Sequence, residues 1–484
     1  MSRHNPRLAV ALAVPALAVV AVGVGLAVDS AGAAPQQTIA CAWERVATNS
    51  RPAIHFATAY DNERQAMYVY GGVDGSFQPI NTLQAADLSG TTPRTSWGNV
   101  AAASALRVVG AAGAYRPGGA VPAAGALYFF GGMTDTGTGN AVNDVQRYVP
   151  ESRAWQRNFV DNRLDFRARV FPAAAYDPLH DVIWVVGGTT RCSLTDVLAG
   201  QPCNATSLPT QYLGWDPASG AAVTHTLPGG DQQVFGASLV FDAPRQRLLL
   251  FGGTRNIQRS EGTVRALDLS DPDPAKAAWS TLETQGQGPA VYFHGGAFLA
   301  DRDWMVVYGG TRQNFLQQNE ANEQTTYGLD LSTTPATWVD LKPAGSPGAR
   351  VAGGMEYAAT HRVALLVLGR DRYVPADPPS ARVQVTTFAL TCTAAGPTPP
   401  PATATSTATG TSTATAEATA TFTATATTQP VTPTETEPVE PTEPLPPTDT
   451  PEPTATEELE TPTATDEPEP GAAIFLPYAR RGQA

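Results

Sequence analysis

Between about residues 40 and 392 the chain alternates short apolar runs with polar, glycine-rich stretches. Five of the runs close on a glycine pair: MYVY before Gly71-Gly72, LYFF before Gly131-Gly132, IWVV before Gly187-Gly188, LLLF before Gly252-Gly253 and MVVY before Gly309-Gly310. A sixth run, LLVL before Gly369-Arg370, is read as keeping the strand and losing the second glycine. Short aliphatic and aromatic runs bounded by glycine predict buried strands. The steps between them are 60, 56, 65, 57 and 60 residues, which is a repeat period. Strand-forming units at a fixed period predict a radial or stacked array, in which each unit buries its face against neighbours. The glycines are read as structural, supplying positive φ and close backbone approach at a strand end.

The remainder of each unit follows the same template. A further strand is predicted downstream of each pair: TLQAADLS (82–89), DVQRYVPE (144–151), TQYLGWDP (210–217), TVRALDLS (263–270), TTYGLDLS (325–332) and VQVTTFAL (383–390). Four units then carry a short strand with a tryptophan, SWGNV (96–100), AWQRN (154–158), AWSTL (278–282) and TWVDL (337–341), and the third has AAVTHTL (221–227). After the sixth unit that strand is missing. Its counterpart stands at the front of the chain as AWERV (42–46), so the N-terminal strand is expected to complete the last unit and close a ring.

With its small-residue strands (FATAYDNERQ, FPAAAYDPLH, GASLVFDAPR), its strand-GG runs, Asn143-Asp144 ahead of a third strand, and its tryptophans, the segment 41–392 resembles the kelch-repeat β-propeller family, to which galactose oxidase-type propellers also belong. The resemblance implies an all-β fold of six four-stranded blades over residues 35–392. Kelch propellers include copper radical oxidases, which use a Tyr–Cys crosslink, a second Tyr, two His and a further β-domain after seven blades. This chain has six units, other uses for its cysteines, and a low-complexity segment where the extra domain would stand.

Residues 1–34 read as a secretory signal: Arg3 and Arg7 lead an apolar run from Leu8 to Val28, and Ala31-Gly32-Ala33 fits the small-residue cleavage rule. At 21 residues the run is also long enough for an uncleaved anchor. Residues 393–470 are Thr, Ala, Pro and Glu with almost no large apolar side chains, a composition that stays extended as a disordered stalk. Residues 471–484 form a short apolar and basic tail around Ile474-Phe475-Leu476 and Arg480-Arg481. The tail from 393 onward holds thirteen Asp and Glu against those two arginines, so it carries −11 of the chain's −13. With +1 on the leader, residues 35–392 are left at −3, and the acidity says nothing about the propeller's partner.

Four cysteines in an exported chain read as disulfides. Cys41 precedes the displaced strand and Cys392 follows the strand it should pair with, so a Cys41–Cys392 bond is expected to staple the ring, worth several kcal/mol in a chain-entropy model. Cys192 and Cys203 share one loop of the third unit and are expected to bridge locally.

Catalytic signatures are scarce. No zinc-protease, serine-hydrolase, phosphate-loop or calcium-loop motif occurs, and no catalytic residue, metal ligand or cofactor is assigned. His55 and His294 fall near the axis, where they could meet across it. Arginine does recur at equivalent loop positions: Arg191, Arg255, Arg312 and Arg370 after the glycine pairs, and Arg51, Arg107, Arg167, Arg169 and Arg350 before the first strands. Both loop classes of a four-stranded blade open on one face, so up to nine guanidiniums would rim it. Planar guanidinium forks suit carboxylate, sulfate or phosphate. The alternative is that a repeated arginine is a repeated structural contact.

The expectation is therefore an extracytoplasmic, monomeric binding protein that is secreted or retained at the cell surface. Its partner would be a protein, peptide or glycan, with no nucleic acid and with membrane contact only through leader or tail. The competing readings are a carbohydrate-active enzyme of propeller type and a structural envelope component without a ligand.

Overall fold

The computed structural model describes residues 39–394, apart from 50, 75, 77, 93–95, 101–104, 120–121, 158, 194–202, 313–322 and 372–381. The readings for the leader (1–34), for the stalk beyond 394 and for the tail (471–484) lie outside the described residues, as do the centres of the loops 189–209 and 311–324.

Six antiparallel sheets form the blades of a propeller. Blade one comprises Ala57–Asp61, Ala66–Tyr70, Leu83–Asp87 and Trp97–Val100, from axis to rim. Blade two comprises Ala112–Arg116, Ala126–Phe130, Val145–Val149 and Ala154–Arg157, and blade three Ala173–Asp177, Val182–Val186, Gln211–Trp215 and Ala222–Thr226. Blade four comprises Ser238–Asp242, Arg247–Phe251, Val264–Asp268 and Ala278–Thr281. Blade five comprises Gly295–Leu299, Trp304–Tyr308, Thr326–Asp330 and Ala336–Asp340, with Thr284–Gln285 added in parallel at its edge. Blade six comprises Gly354–Ala358, Val363–Val367 and Thr386–Ala394, and its outer strand is Ile39–Thr48 from the start of the described chain.

Each inner strand packs against those of its two neighbours, and blade six meets blade one, so the ring closes. The closing strand pairs in register, Cys41 opposite Cys392, and those two cysteines are bonded. Cys192 and Cys203 form the second disulfide. The last strand runs to Ala394, two residues beyond the expected domain end.

Five of the second strands are apolar throughout, and that of blade four is apolar after Arg247, because they are buried on both faces between blades, which removes the alternation a half-exposed strand would show. The tryptophans of the outer strands join blades. The indole N–H of Trp97 donates to Thr387 Oγ1 of blade six (2.9 Å), that of Trp279 to Thr210 Oγ1 at the foot of blade three (3.0 Å), and that of Trp43 to Thr326 Oγ1 of blade five (2.9 Å). A large ring with one polar atom suits a joint that is apolar apart from one acceptor.

The glycine pairs mark a second inter-blade contact. The N–H of Gly72, Gly132, Gly188, Gly253 and Gly310 donates to the carbonyl of Val108, Arg169, Val234, Val291 and Arg350 in the following blade. A Cβ on the preceding glycine would lie 2.2–2.6 Å from that same oxygen, and each of these glycines has φ between +66° and +74°. Both sterics and backbone angle therefore require glycine there. In blade six the frame differs from the sequence reading. Val367 pairs with Gly354, so the positions of the pair are Leu368 (φ +50°) and Gly369 (φ +94°), and the first glycine is the one replaced. Among the described residues no backbone bond of this kind runs from Gly369 to blade one, so the approach that excludes a side chain is absent at that joint.

Candidate functional site

At one end of the axis, six residues just ahead of the inner strands adopt left-handed backbone angles: His55, Gly110, Phe171, Gly236, Phe293 and Ala352, with φ from +53° to +70°. Their peptides form a closed ring of hydrogen bonds. Gly110 donates to His55, Phe171 to Gly110, Gly236 to Phe171, Phe293 to Gly236, Ala352 to Phe293 and His55 to Ala352, at 2.7–3.4 Å. Large and small residues alternate around this ring. The three rings of His55, Phe171 and Phe293 meet with centroids 4.8–5.0 Å apart. A Cβ on Gly110 would come within 2.6 Å of Phe171, and one on Gly236 within 2.8 Å of Phe293. This end of the axis is filled.

The same end carries the glycine-pair loops and the arginines. The structure divides the nine. Arg169 and Arg350 are buried and serve the fold. Arg169 donates to the carbonyls of Gly187 (3.1 Å) and Pro209 (3.1 Å) and to Gln211 Oε1 (2.7 Å). Arg350 donates to Leu368 O (2.9 Å) and Thr386 Oγ1 (2.6 Å). Burial lowers Arg169 to about 9 and Arg350 to about 10. Arg370 is buried as well, one residue earlier in its loop than Arg255 and Arg312. The expected rim of nine guanidiniums is therefore corrected: these three side chains lie inside the blades, and backbone carbonyls accept from two of them, Arg169 and Arg350.

Arg51, Arg107, Arg167, Arg191, Arg255 and Arg312 remain exposed. Buried glutamines in the third strands hold the loops of the first three. Gln84 accepts from the Arg51 N–H (3.0 Å) and donates to its carbonyl (3.1 Å), Gln146 accepts from Leu106 (2.8 Å), and Gln211 accepts from Arg167 (2.9 Å). The run LQ, VQ, TQ at the starts of these strands was the sequence signal for that clamp. Arg255 and Arg312 lean on Glu261 (2.9 Å) and Glu323 (2.8 Å), and Arg191 donates to Thr138 O (3.2 Å).

His55 and His294 both reach this end without pairing as metal ligands. His55 packs in the ring cluster, and His294 Nε2 faces Ser238 Oγ at 2.9 Å. Burial pushes both down to about 3, so both are neutral; Arg370 contributes for His55. Among the described residues no group of three His, Cys, Asp or Glu could hold a metal ion.

The opposite end of the axis is open. It forms a funnel of about 530 Å³ lined by all six inner strands. Each contributes one aromatic at its penultimate position: Tyr60, Tyr115, Tyr176, Phe241, Phe298 and Tyr357. Among its lining residues a single one is charged, Glu356. Glu356 accepts a hydrogen bond from Thr58 Oγ1 (2.7 Å), and burial pushes its carboxyl up to about 7. Part of its surface still touches the funnel, while blade walls surround the rest. The sequence reading did not find this funnel. Its signal was the recurring Tyr or Phe at the end of each small-residue strand, visible in AYD, AYR, AYD, VFD, AFL and MEY.

No protein-family model matches the chain. The chain superposes on the solved structure of YjhT with a TM-score of 0.50 at 14% identity, covering 71% of this chain and 96% of that one. The superposition and the six sheets agree on the fold, a six-bladed β-propeller. A copper-bound fungal alcohol oxidase of the AA5 family superposes at 0.43 and 12% identity, over 70% of this chain and 62% of that one. In sequence, human Multiple epidermal growth factor-like domains protein 8 is 28% identical over 244 residues, which is 48% of this chain. The rat protein of the same name is 33% identical over 124 residues, 24% of this chain. The matched segments amount to 8% and 4% of those relatives' own lengths.

Proposed function

We propose that the protein is an extracytoplasmic binding module whose loop face recognises an anionic partner, namely an acidic protein segment, peptide or glycan. The observation that carries this reading is the set of six arginines that stay exposed at one end of a rigid axis, four of them with no acidic partner among the described residues. Guanidiniums on loops fixed by buried glutamines lose little freedom when they meet a carboxylate or sulfate. Two disulfides suit an oxidising compartment, which supports placement outside the cytoplasm.

The carbohydrate-active enzyme reading fares less well. Glycoside hydrolysis ordinarily needs two carboxylates flanking the bond, about 5–10 Å apart. The funnel is lined by one carboxylate, Glu356, and the filled end of the axis by two neutral histidines. A single proton donor or acceptor fits binding better than that displacement.

The full-length chain should bind a subset of acidic peptides or sulfated glycans saturably, and more weakly as salt rises. Reversing Arg51, Arg107 and Arg167 to Glu together should weaken that binding at least tenfold, an effect of about 1.4 kcal/mol or more. The melting curve should stay in place because all three side chains are exposed. Unchanged binding by the triple variant retires the loop face, and silence across the array favours the structural role.

A further inference from the structure

The open end of the axis has a chemistry that the loop face does not explain. Carboxylates at its rim are neutralised within the fold: Asp181 pairs with Arg116 (2.5 Å), Asp301 with Arg302 (3.5 Å), and Glu63 lies beside Arg64 (3.9 Å). The same three carboxylates accept the hydroxyls of three of the four funnel tyrosines. Tyr176 donates to Asp181 (3.0 Å), Tyr357 to Asp301 (2.6 Å) and Tyr115 to Glu63. Their oxygens are thus tied down, and what the funnel offers is ring surface. Glu356, deeper in the same cavity, has no cationic partner among the described residues and only the Thr58 hydroxyl as donor.

We propose that this funnel is a binding site for a small organic ammonium ion, with Glu356 as its counter-charge and the six inner-strand aromatics as its wall. Three observations select that class. A lone carboxylate in an apolar cavity selects for positive charge, because an unpaired buried charge is costly. Aromatic faces attract cations, most strongly where water is excluded. A calcium or magnesium ion would need six or more oxygen ligands, whereas the side chains at this point supply Glu356 and Thr58. An alkylammonium brings its own apolar surface and needs no oxygen cage. A volume of about 530 Å³ holds a head group of several carbon atoms and keeps it in contact with the rings. The site lies at the other end of the axis from the arginine loops, so it stands or falls independently of the loop-face reading.

The test is calorimetric titration of the full chain at pH 8 with tetramethylammonium, choline, benzyltrimethylammonium and n-butylamine, and with 3,3-dimethylbutan-1-ol as the uncharged isostere of choline. At least one cation should bind saturably with one site per chain, and the neutral isostere should bind at least tenfold more weakly. Glu356→Gln, which keeps an acceptor for Thr58, should lose at least tenfold in cation affinity. Ala359→Arg places a guanidinium at the exposed rim without disturbing a core side chain, and should weaken cation binding as well. That variant keeps the test decisive if Glu356→Gln fails to fold. Binding by none of the cations, equal affinity for the neutral isostere, or cation affinity unchanged in both variants would overturn the proposal.

Discussion

At the scale of single residues, environment decides what a side chain is for. Arg167 and Arg169 are two positions apart, yet the first is exposed and the second is wrapped by carbonyls and Gln211. The carbonyl of Arg169 receives the N–H of Gly132 from the blade before, and the same is true of Arg350 and Gly310. Residues at this position are therefore locked at an inter-blade joint with their side chains inside. Periodicity in the sequence could place all nine arginines at loop ends but could not separate a joint residue from its neighbour two steps away. Glu356 escaped the sequence reading for a related reason: nothing in MEY distinguishes a carboxylate turned to the axis from one in solvent. Its environment makes a measurable prediction. The folded carboxyl sits at about 7 against 4.5 for an unburdened glutamate, chiefly through burial. A raised acid binds its proton more tightly when folded, so its contribution to stability is complete below pH 4.5 and is lost as pH rises through about 7. Glutamine does not titrate. Glu356→Gln should therefore gain on the wild type as pH goes from 5 to 8, by roughly 2–3 kcal/mol. Urea midpoints of both proteins at the two pH values measure the difference, and parallel pH dependence would show that the carboxyl is not held as described.

At the scale of elements, the blade is legible because its constraints recur. A strand buried on both faces must be apolar throughout, and a chain turning beneath a neighbour's carbonyl must carry glycine. Five repetitions of the two together left little else for the segment to be. The sixth was misframed by one residue, since LLVLGR reads as a strand followed by Gly-Arg until the register of Val367 with Gly354 moves Leu368 out of the strand. The steric argument separates glycines that look alike in the sequence. At Gly187 a Cβ would stand 2.3 Å from Val234 O, whereas at Gly229 no atom lies within 4 Å, although both have φ near +67°. Gly229→Ala should cost about 1 kcal/mol, the penalty of the left-handed angle alone. Gly187→Ala should cost several times more, about 3 kcal/mol or above, because a backbone oxygen on the next blade must move. Denaturant midpoints of the two variants test the distinction, and equal losses would mean that the inter-blade approach is softer than its geometry indicates.

At the scale of the whole molecule, the ring is closed by three devices of different kinds. The cyclic ladder of six peptides ties the inner ends of all blades, and the tryptophans tie the outer strands of three of them to the blade behind. The third is local to blade six, where the outer strand arrives from the opposite end of the chain and is bonded at Cys41–Cys392 across 351 residues. Without that bond the outer strand of blade six is held by its ladder with Thr386–Ala394, by the Trp43 indole and by two backbone hydrogen bonds to Ala344. Loss of the strand would expose a sheet edge, the feature a closed propeller otherwise avoids. The two disulfides should consequently behave differently. Cys192–Cys203 closes 11 residues and in the chain-entropy model is worth about 3 kcal/mol, confined to one loop. Cys41–Cys392 should be worth about 6 kcal/mol in the same model, and its loss should be felt in blade six first. Replacing Cys41 and Cys392 by Ser should raise amide exchange along 39–48 and 386–394 and lower the unfolding midpoint, with the glycine-pair contacts of blades two to four still protected. Replacing Cys192 and Cys203 should leave exchange at the seam as it is. If the seam variant exchanges uniformly around the ring, the propeller opens as one cooperative unit, and the disulfide stabilises all six blades rather than the joint it spans.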